Sequence, residues 1–185
     1  VRTAVQTVCS RRLGEKRYPE CGNALHNGII LASCIAIPFT FIGILYAKEI
    51  ASIFIKDSAV ILYCTDYLFI GYFSLIFVII GFAFQGFYAG VEHMRVHMVV
   101  TITSNIINIY LNAGFIYGSD HITQYFADMG HPWLAFIWNW APFPALAVKG
   151  AAIATLLASI FMVLHYTYYL LNKRVRKFSP YGNKF

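Results

Sequence analysis

Between Met98 and Tyr117 the chain reads MVVTITSNIINIYLNAGFIY, an apolar stretch long enough to cross a bilayer that nevertheless holds three asparagines. A helix turns about 100° per residue, so Thr101, Asn105, Asn108 and Asn112, spaced 4, 3 and 4 apart, fall on one stripe. Uncompensated polar groups in hydrocarbon cost several kcal/mol, so the stripe has to face protein, water or a bound substrate. An amide offers a carbonyl oxygen to a cation or a carboxylic acid, but it carries no proton of its own near neutral pH. The stripe is a candidate lining for a cation or substrate.

Three further places carry chemistry. Asp66, in YCTDYLFIGYF, stands early in an apolar segment with Tyr63, Tyr67 and Phe69 around it. It is either an acid that draws cations towards aromatic faces or an ordinary interfacial acid. Arg2 precedes Arg11 by nine residues, about 13 Å of helical rise, which puts it near the middle of a membrane if the helix continues. Such a charge is paired, cavity-facing, or snorkels to the interface. Glu92, His93 and His97 form EHxxxH, and two imidazoles four apart share a helix face as at metal sites. The order is not HExxH and no nearby ligand completes a shell, so a metal-dependent enzyme is disfavoured.

The elements that position these residues follow from composition. With 59% hydrophobic and 12% charged residues, against roughly 25% charged in soluble domains, and a mean hydropathy of +0.62, lipid is the expected solvent. The apolar runs continue for about 20 residues without strict alternation, which fits helices rather than barrel strands. The expected class is all-α transmembrane, with complete spans near 25–46, 62–90, 96–118 and 147–171 and a partial one over 1–12. VRTAVQTVCS enters the basic loop RRLGEKR without an initiator Met or a signal-peptide pattern, and reads as the end of a helix begun elsewhere.

Crossing span by span, Arg11, Arg12, Lys16, Arg17, Arg95, Lys173, Arg174, Arg176, Lys177 and Lys184 collect on one side, against Lys48, Lys56 and Lys149 on the other. The richer side is expected to be cytoplasmic, and the net charge of +6 then needs no nucleic acid to explain it. Cys9, Cys21, Cys34 and Cys64 make no CxxC pair and receive no role. The external connection over 119–146 holds Trp133, Trp138 and Trp140, which predicts a short helix along the outer surface, with a partly ordered loop as the alternative.

Small residues indicate packing. Gly86 and Gly90 make GxxxG, Ala147, Ala151, Ala154 and Ala158 form a small-residue stripe, and Pro38 is expected to kink its helix.

RTAVQTVCSRRLGE, FQGFYAG, NIINIYLNAGFIYG and FPALAVKGAAIATLLAS, in this order, resemble the amino-terminal half of multidrug and toxic compound extrusion (MATE) transporters. The resemblance covers nearly the whole chain. It implies a partial six-helix lobe of a twelve-helix transporter, from the end of helix two to helix six, with helix one and the carboxy-terminal lobe missing. It implies secondary active export of amphipathic or cationic compounds against inward protons or sodium ions, by two lobes rocking around a central cavity. The setting would be a bacterial inner membrane.

The resemblance also bears on residues. Some members carry an Asn followed four residues later by an Asp on the fifth helix, and the matching positions are Asn108 and Asn112, so the acid is absent and this position alone cannot couple protons. Thr155, in GAAIAT, matches a sixth-helix threonine beside that pocket. Asn108, Asn112 and Thr155 would then form either a hydrogen-bond network that joins helices or a shell for sodium, with no other cofactor implied. An acid on the missing first helix would be the partner of Arg2. Relatives that flip lipid-linked oligosaccharides keep a second transporter reading open, although spans with no basic residue apart from Arg2 suit pyrophosphate poorly. A non-transporting half is a third.

Overall fold

The structure is a computed structural model that describes residues 1–139 and 142–171. Among the described residues seven α-helices follow one another: α1 (Arg2–Gly14), α2 (Tyr18–Leu45), α3 (Ala47–Phe54), α4 (Ser58–Gly90), α5 (Met94–Tyr117), α6 (Ser119–Asp128) and α7 (Ala147–Leu171). A 3-10 helix over Pro132–Ile137 precedes α7. Helices α2, α4, α5 and α7 are long and apolar enough to cross a membrane. The all-helical transmembrane class expected from composition is the one observed.

The helices overrun the apolar runs that announced them. α2 starts at Tyr18 and α4 at Ser58, ahead of the expected Leu25 and Leu62, because helix geometry persists beyond the hydrocarbon, and α4 starts on a side-chain cap. Asp57 supplies one, its carboxylate accepting from Ala59 N–H at 2.8 Å. The short helix α3 had no counterpart in the sequence reading. It begins where α2 breaks at Tyr46, and it buries Ala47 and Ala51. Pro38 sits inside α2 without ending it.

α4 is the spine. It packs against α1, α2 and α3 on one side and against α7 on the other, and α7 in turn carries α5. Close approach depends on small residues, as in membrane helix pairs generally. A side chain at Gly86 would strike the Arg2 carbonyl, and one at Gly90 would meet Cys9 Cβ at 2.5 Å and Gln6 O at 2.8 Å. The GxxxG of α4 is thus the seat of α1. On α7 the buried small face runs through Gly150, Ala154 and Ala158, with Gly150 against the Phe115 carbonyl of α5. The expected stripe is corrected at its start, since Ala147 is exposed, its residue lying ahead of the helix contact.

The core lies towards the end that carries Arg11, Arg12, Lys16, Arg17 and Arg95. Cys9, Cys21, Phe87, Tyr88, Val100 and Tyr166 are fully buried there. The α1–α2 turn at this end is laced by ion pairs, Arg12 to Glu15 at 2.9 Å and to Glu20 at 3.0 Å, and Arg11 to Glu15 at 3.1 Å. Two guanidinium hydrogen bonds, from Arg12 and then Arg11, hold the Glu15 carboxyl below its ordinary range. Lys173, Arg174, Arg176, Lys177 and Lys184 lie outside the described residues, as does Trp140.

At the opposite end Gly118 turns the chain from α5 into α6 with φ of +79°, a left-handed conformation that glycine adopts without strain. The segment expected to hold a short helix contains α6 and the 3-10 helix. It is fastened to α5 by Trp138 Nε1–H donating to Tyr110 O at 3.2 Å and by Tyr110 O–H donating to Ile137 O at 2.6 Å. Trp138 is half-buried in this contact, whereas Trp133 is exposed.

Candidate functional site

An open groove of about 270 Å³ runs where α4, α5 and α7 meet. α5 contributes Ser104, Asn105 and Asn108, α7 contributes Thr155 and Ser159, and α4 contributes Gln85. Val78, Ala158 and Met162 supply its apolar wall. Three of the residues read from sequence, Asn105, Asn108 and Thr155, are therefore brought together. Gln85, Ser104 and Ser159 were not singled out. The signal for Ser104 was present, since it adjoins Asn105 and precedes Asn108 by one turn. The other two face the groove only because of how α4 and α7 are rotated.

Each polar side chain has a distinct situation. Asn112 donates from Nδ2 to Asn108 Oδ1 at 2.9 Å, one turn along α5, and does not itself line the groove. Thr155 O–H donates to Ala151 O at 2.9 Å and Ser159 O–H to Thr155 O at 2.8 Å, so both hydroxyls spend their hydrogen on their own helix and keep oxygen lone pairs. The three-residue shell of Asn108, Asn112 and Thr155 is thus not assembled. A pair of amides stands on α5 and a pair of hydroxyls on α7, and no hydrogen bond of the described residues joins Thr155 to either asparagine.

Ser104 is the exception to this self-satisfaction. Its Oγ is buried and, among the described residues, it is the one buried side-chain polar atom without a hydrogen-bond partner. The carbonyl one turn back, Val100 O, already accepts from Thr103 Oγ1 at 3.1 Å. A buried hydroxyl left unpaired costs about 1–3 kcal/mol, and native structures retain such groups where something else satisfies them. Here the residue that carries the hydroxyl lines the groove.

The groove lining holds no charged residue. It can offer oxygen lone pairs and amide N–H groups beside an apolar wall, which suits an amphipathic molecule or a partly dehydrated cation. It cannot store a proton. A larger cavity of about 400 Å³ lies at the α6 end, among Tyr117, Tyr125, Phe126 and Trp138. Its walls are aromatic, and the unpaired polar group lies in the smaller groove, so the smaller one is the candidate site.

The remaining sequence candidates fall elsewhere. Thr101 is not in the groove lining: its Oγ1 is 3.3 Å from His97 Nδ1, and the same nitrogen is 2.7 Å from the Tyr166 hydroxyl of α7. Asp66 forms an ion pair with Lys149 of α7, Oδ2 to Nζ 2.9 Å. Of its two sequence readings, an acid that draws cations and an ordinary interfacial acid, the pairing with the lysine that immediately precedes GAAIAT fits the second. Arg2 is exposed at the start of α1 and lies within electrostatic reach of His97 and Tyr166. His93 occupies the N-cap position of α5, while His97 turns to α7. Among the described residues no three of His, Cys, Asp and Glu gather into a metal-binding group.

Comparison with known proteins gives one family. No curated protein and no solved structure matches the chain. The MatE family model matches residues 1–113, from α1 through the Asn108–Asn112 pair. Because the match spans more than half of the chain's 185 residues, taking in α1 to α4 and most of α5, this protein belongs to the MatE family of transporters.

Proposed function

We propose that the α4–α5–α7 groove is part of the pathway by which an amphipathic or cationic compound is expelled from a cell in exchange for inward-moving protons or sodium ions. In this reading the chain acts in one lobe of an alternating-access transporter, with a second, carboxy-terminal lobe across the pathway. Its basic end is cytoplasmic and the membrane is a bacterial inner membrane. The observation that carries the reading is Ser104 Oγ, buried and unpaired at the wall of a groove otherwise lined by amides and hydroxyls.

Neutral polar walls favour this over flipping a lipid-linked oligosaccharide. A pyrophosphate would be held by Arg or Lys, and none lines the groove. The groove instead presents lone pairs, from Thr155 and Ser159, which a cation can use on its way through. Sodium would meet these oxygens together with the Asn105 amide.

The test is ethidium efflux by the full-length protein in liposomes, with proton and sodium gradients imposed separately. Ser104→Ala and Asn108→Ala should each lower kcat/KM about tenfold or more with normal insertion. Wild-type rates in both variants would exclude the groove from the pathway.

A further inference from the structure

We propose that His97 is a proton-binding site of this transporter, charged and discharged from water at the basic end of α5 while Tyr166 and Thr101 accommodate both of its states. This rests on the transport reading above and supplies what the groove itself lacks, a group that can change charge.

The placement follows from helix geometry. His97, Thr101, Ser104, Asn105 and Asn108 succeed one another at intervals of one turn or less, so His97 continues the polar row of α5 towards its first turn. Ionisable side chains inside membrane helices are rare and mark ion pathways. In the helices that line the groove, Asp66 and Lys149 neutralise one another. His165 of α7 is bound by Thr103 at 3.1 Å, and Thr103 stands on a different face of α5 from Thr101. His97 is the ionisable side chain that α5 turns towards α7 at the end of the bundle that carries the arginines.

Its partners are held firmly. Tyr166 is fully buried, its ring stacked on Phe84 at 5.6 Å and on Tyr88 at 5.5 Å, and Tyr88 O–H donates to the Tyr166 carbonyl at 2.8 Å. The phenol oxygen is thereby fixed 2.7 Å from His97 Nδ1, whereas the His97 ring remains half-exposed and open to exchange. A hydroxyl can donate or accept. With a neutral imidazole that carries its proton on Nε2, the Tyr166 O–H donates to Nδ1. When hydronium in the surrounding water delivers a proton to Nδ1, the new N–H donates to the Tyr166 oxygen, and the phenol hydrogen turns away from the ring towards Thr101 Oγ1, which lies 3.3 Å from the same nitrogen. One proton is gained and no bond is left unmade. Release to water reverses each step.

The charged and titratable groups that act on His97 are Arg2 from α1 and Tyr166 from α7, with His93 and Arg95 four and two residues before it in the chain. Among the described residues no carboxylate forms an ion pair with it. Histidine is the side chain that changes charge between about pH 5 and 8, and the Tyr166 hydroxyl can accept from its charged form.

The test uses the full-length protein in detergent with selectively labelled histidine, followed by NMR from pH 5 to 8, and a pH dye to count protons released when ethidium is added. The His97 resonance, assigned by its loss in His97→Gln, should titrate in this range. Ethidium should release about one proton from wild type and none from His97→Gln, whose ethidium affinity at pH 8 stays within twofold. Tyr166→Phe, which keeps the ring but not the hydroxyl, should shift the His97 midpoint by half a unit or more. A His97 ring that keeps one charge from pH 5 to 8, or unchanged proton release from His97→Gln, overturns the proposal and makes the residue a link between α5 and α7. If wild type binds and exports no ethidium under any gradient, the transport reading fails, and the histidine titration still decides whether His97 takes a proton.

Discussion

Lys149 Nζ lies 2.9 Å from Asp66 Oδ2, tying α7 to α4 at the end of the bundle away from the arginines. Both side chains are partly exposed, 50% and 34%, so solvent screens the pair. Exposed pairs contribute about 0.2–1 kcal/mol, and a double-mutant cycle of Asp66→Ala and Lys149→Ala followed by thermal melting should return a coupling in that range. Because the acid is neutralised, Asp66→Asn should leave the KM for ethidium within about twofold; a tenfold rise would give Asp66 the substrate-attracting role that its partner argues against.

Asn112 acts on the groove through Asn108. Removing its donor frees Asn108 Oδ1 from the 2.9 Å bond that orients it. Asn112→Ala should reduce ethidium efflux several-fold with expression preserved, and the double variant with Asn108→Ala should be no worse than Asn108→Ala alone, since residues joined in one network are not additive. Additive losses would mean that Asn112 touches substrate independently.

Gly86 is where α1 meets the spine. Gly86→Val puts a side chain against the Arg2 backbone carbonyl, which cannot swing aside as a side-chain end would, and overpacking of this kind costs about 1–3 kcal/mol. A lowered melting temperature in detergent should result. Gly71 is the control: nothing lies within 4 Å of a side chain built there, so Gly71→Ala should be neutral or mildly stabilising.

The α1–α2 turn should be acid-sensitive. The Glu15 carboxyl is held below its ordinary value of 4.5 by hydrogen bonds from Arg12 and Arg11. A depressed carboxylate contributes stability above its unfolded value and loses it as pH falls through the folded one, so the turn should keep its protection at neutral pH and lose it below about pH 4.5. Amide hydrogen exchange across residues 14–18, compared with Glu15→Gln at matched pH, measures this. The variant should show the faster exchange at neutral pH already, and equal rates there would remove Glu15 from the turn's stability.

Much of the architecture was legible in one dimension. Hydrocarbon demands about 20 apolar residues per helix, and the apolar runs had that length, so the four spans could be read from length and composition. The 4-3-4 spacing from Thr101 to Asn112 was legible for the same kind of reason, because helical periodicity places residues on a face before any neighbour is known. The GxxxG of α4 likewise announced a close approach, without saying that α1 would make it.

Partners across helices belong to a different level. Thr101 and Asn105 share a stripe, yet one bonds to His97 beside Tyr166 and the other lines the groove, because the seam with α7 crosses α5 between them. Gln85 and Ser159 enter the site, and Lys149 reaches Asp66, through the rotation and crossing of α4 and α7, which no periodicity within a single helix encodes. The residues' types, their order and the faces they share were therefore properties of the chain, while the choice of which hydroxyl is paired and which, as at Ser104, is left without a partner was made by packing in three dimensions.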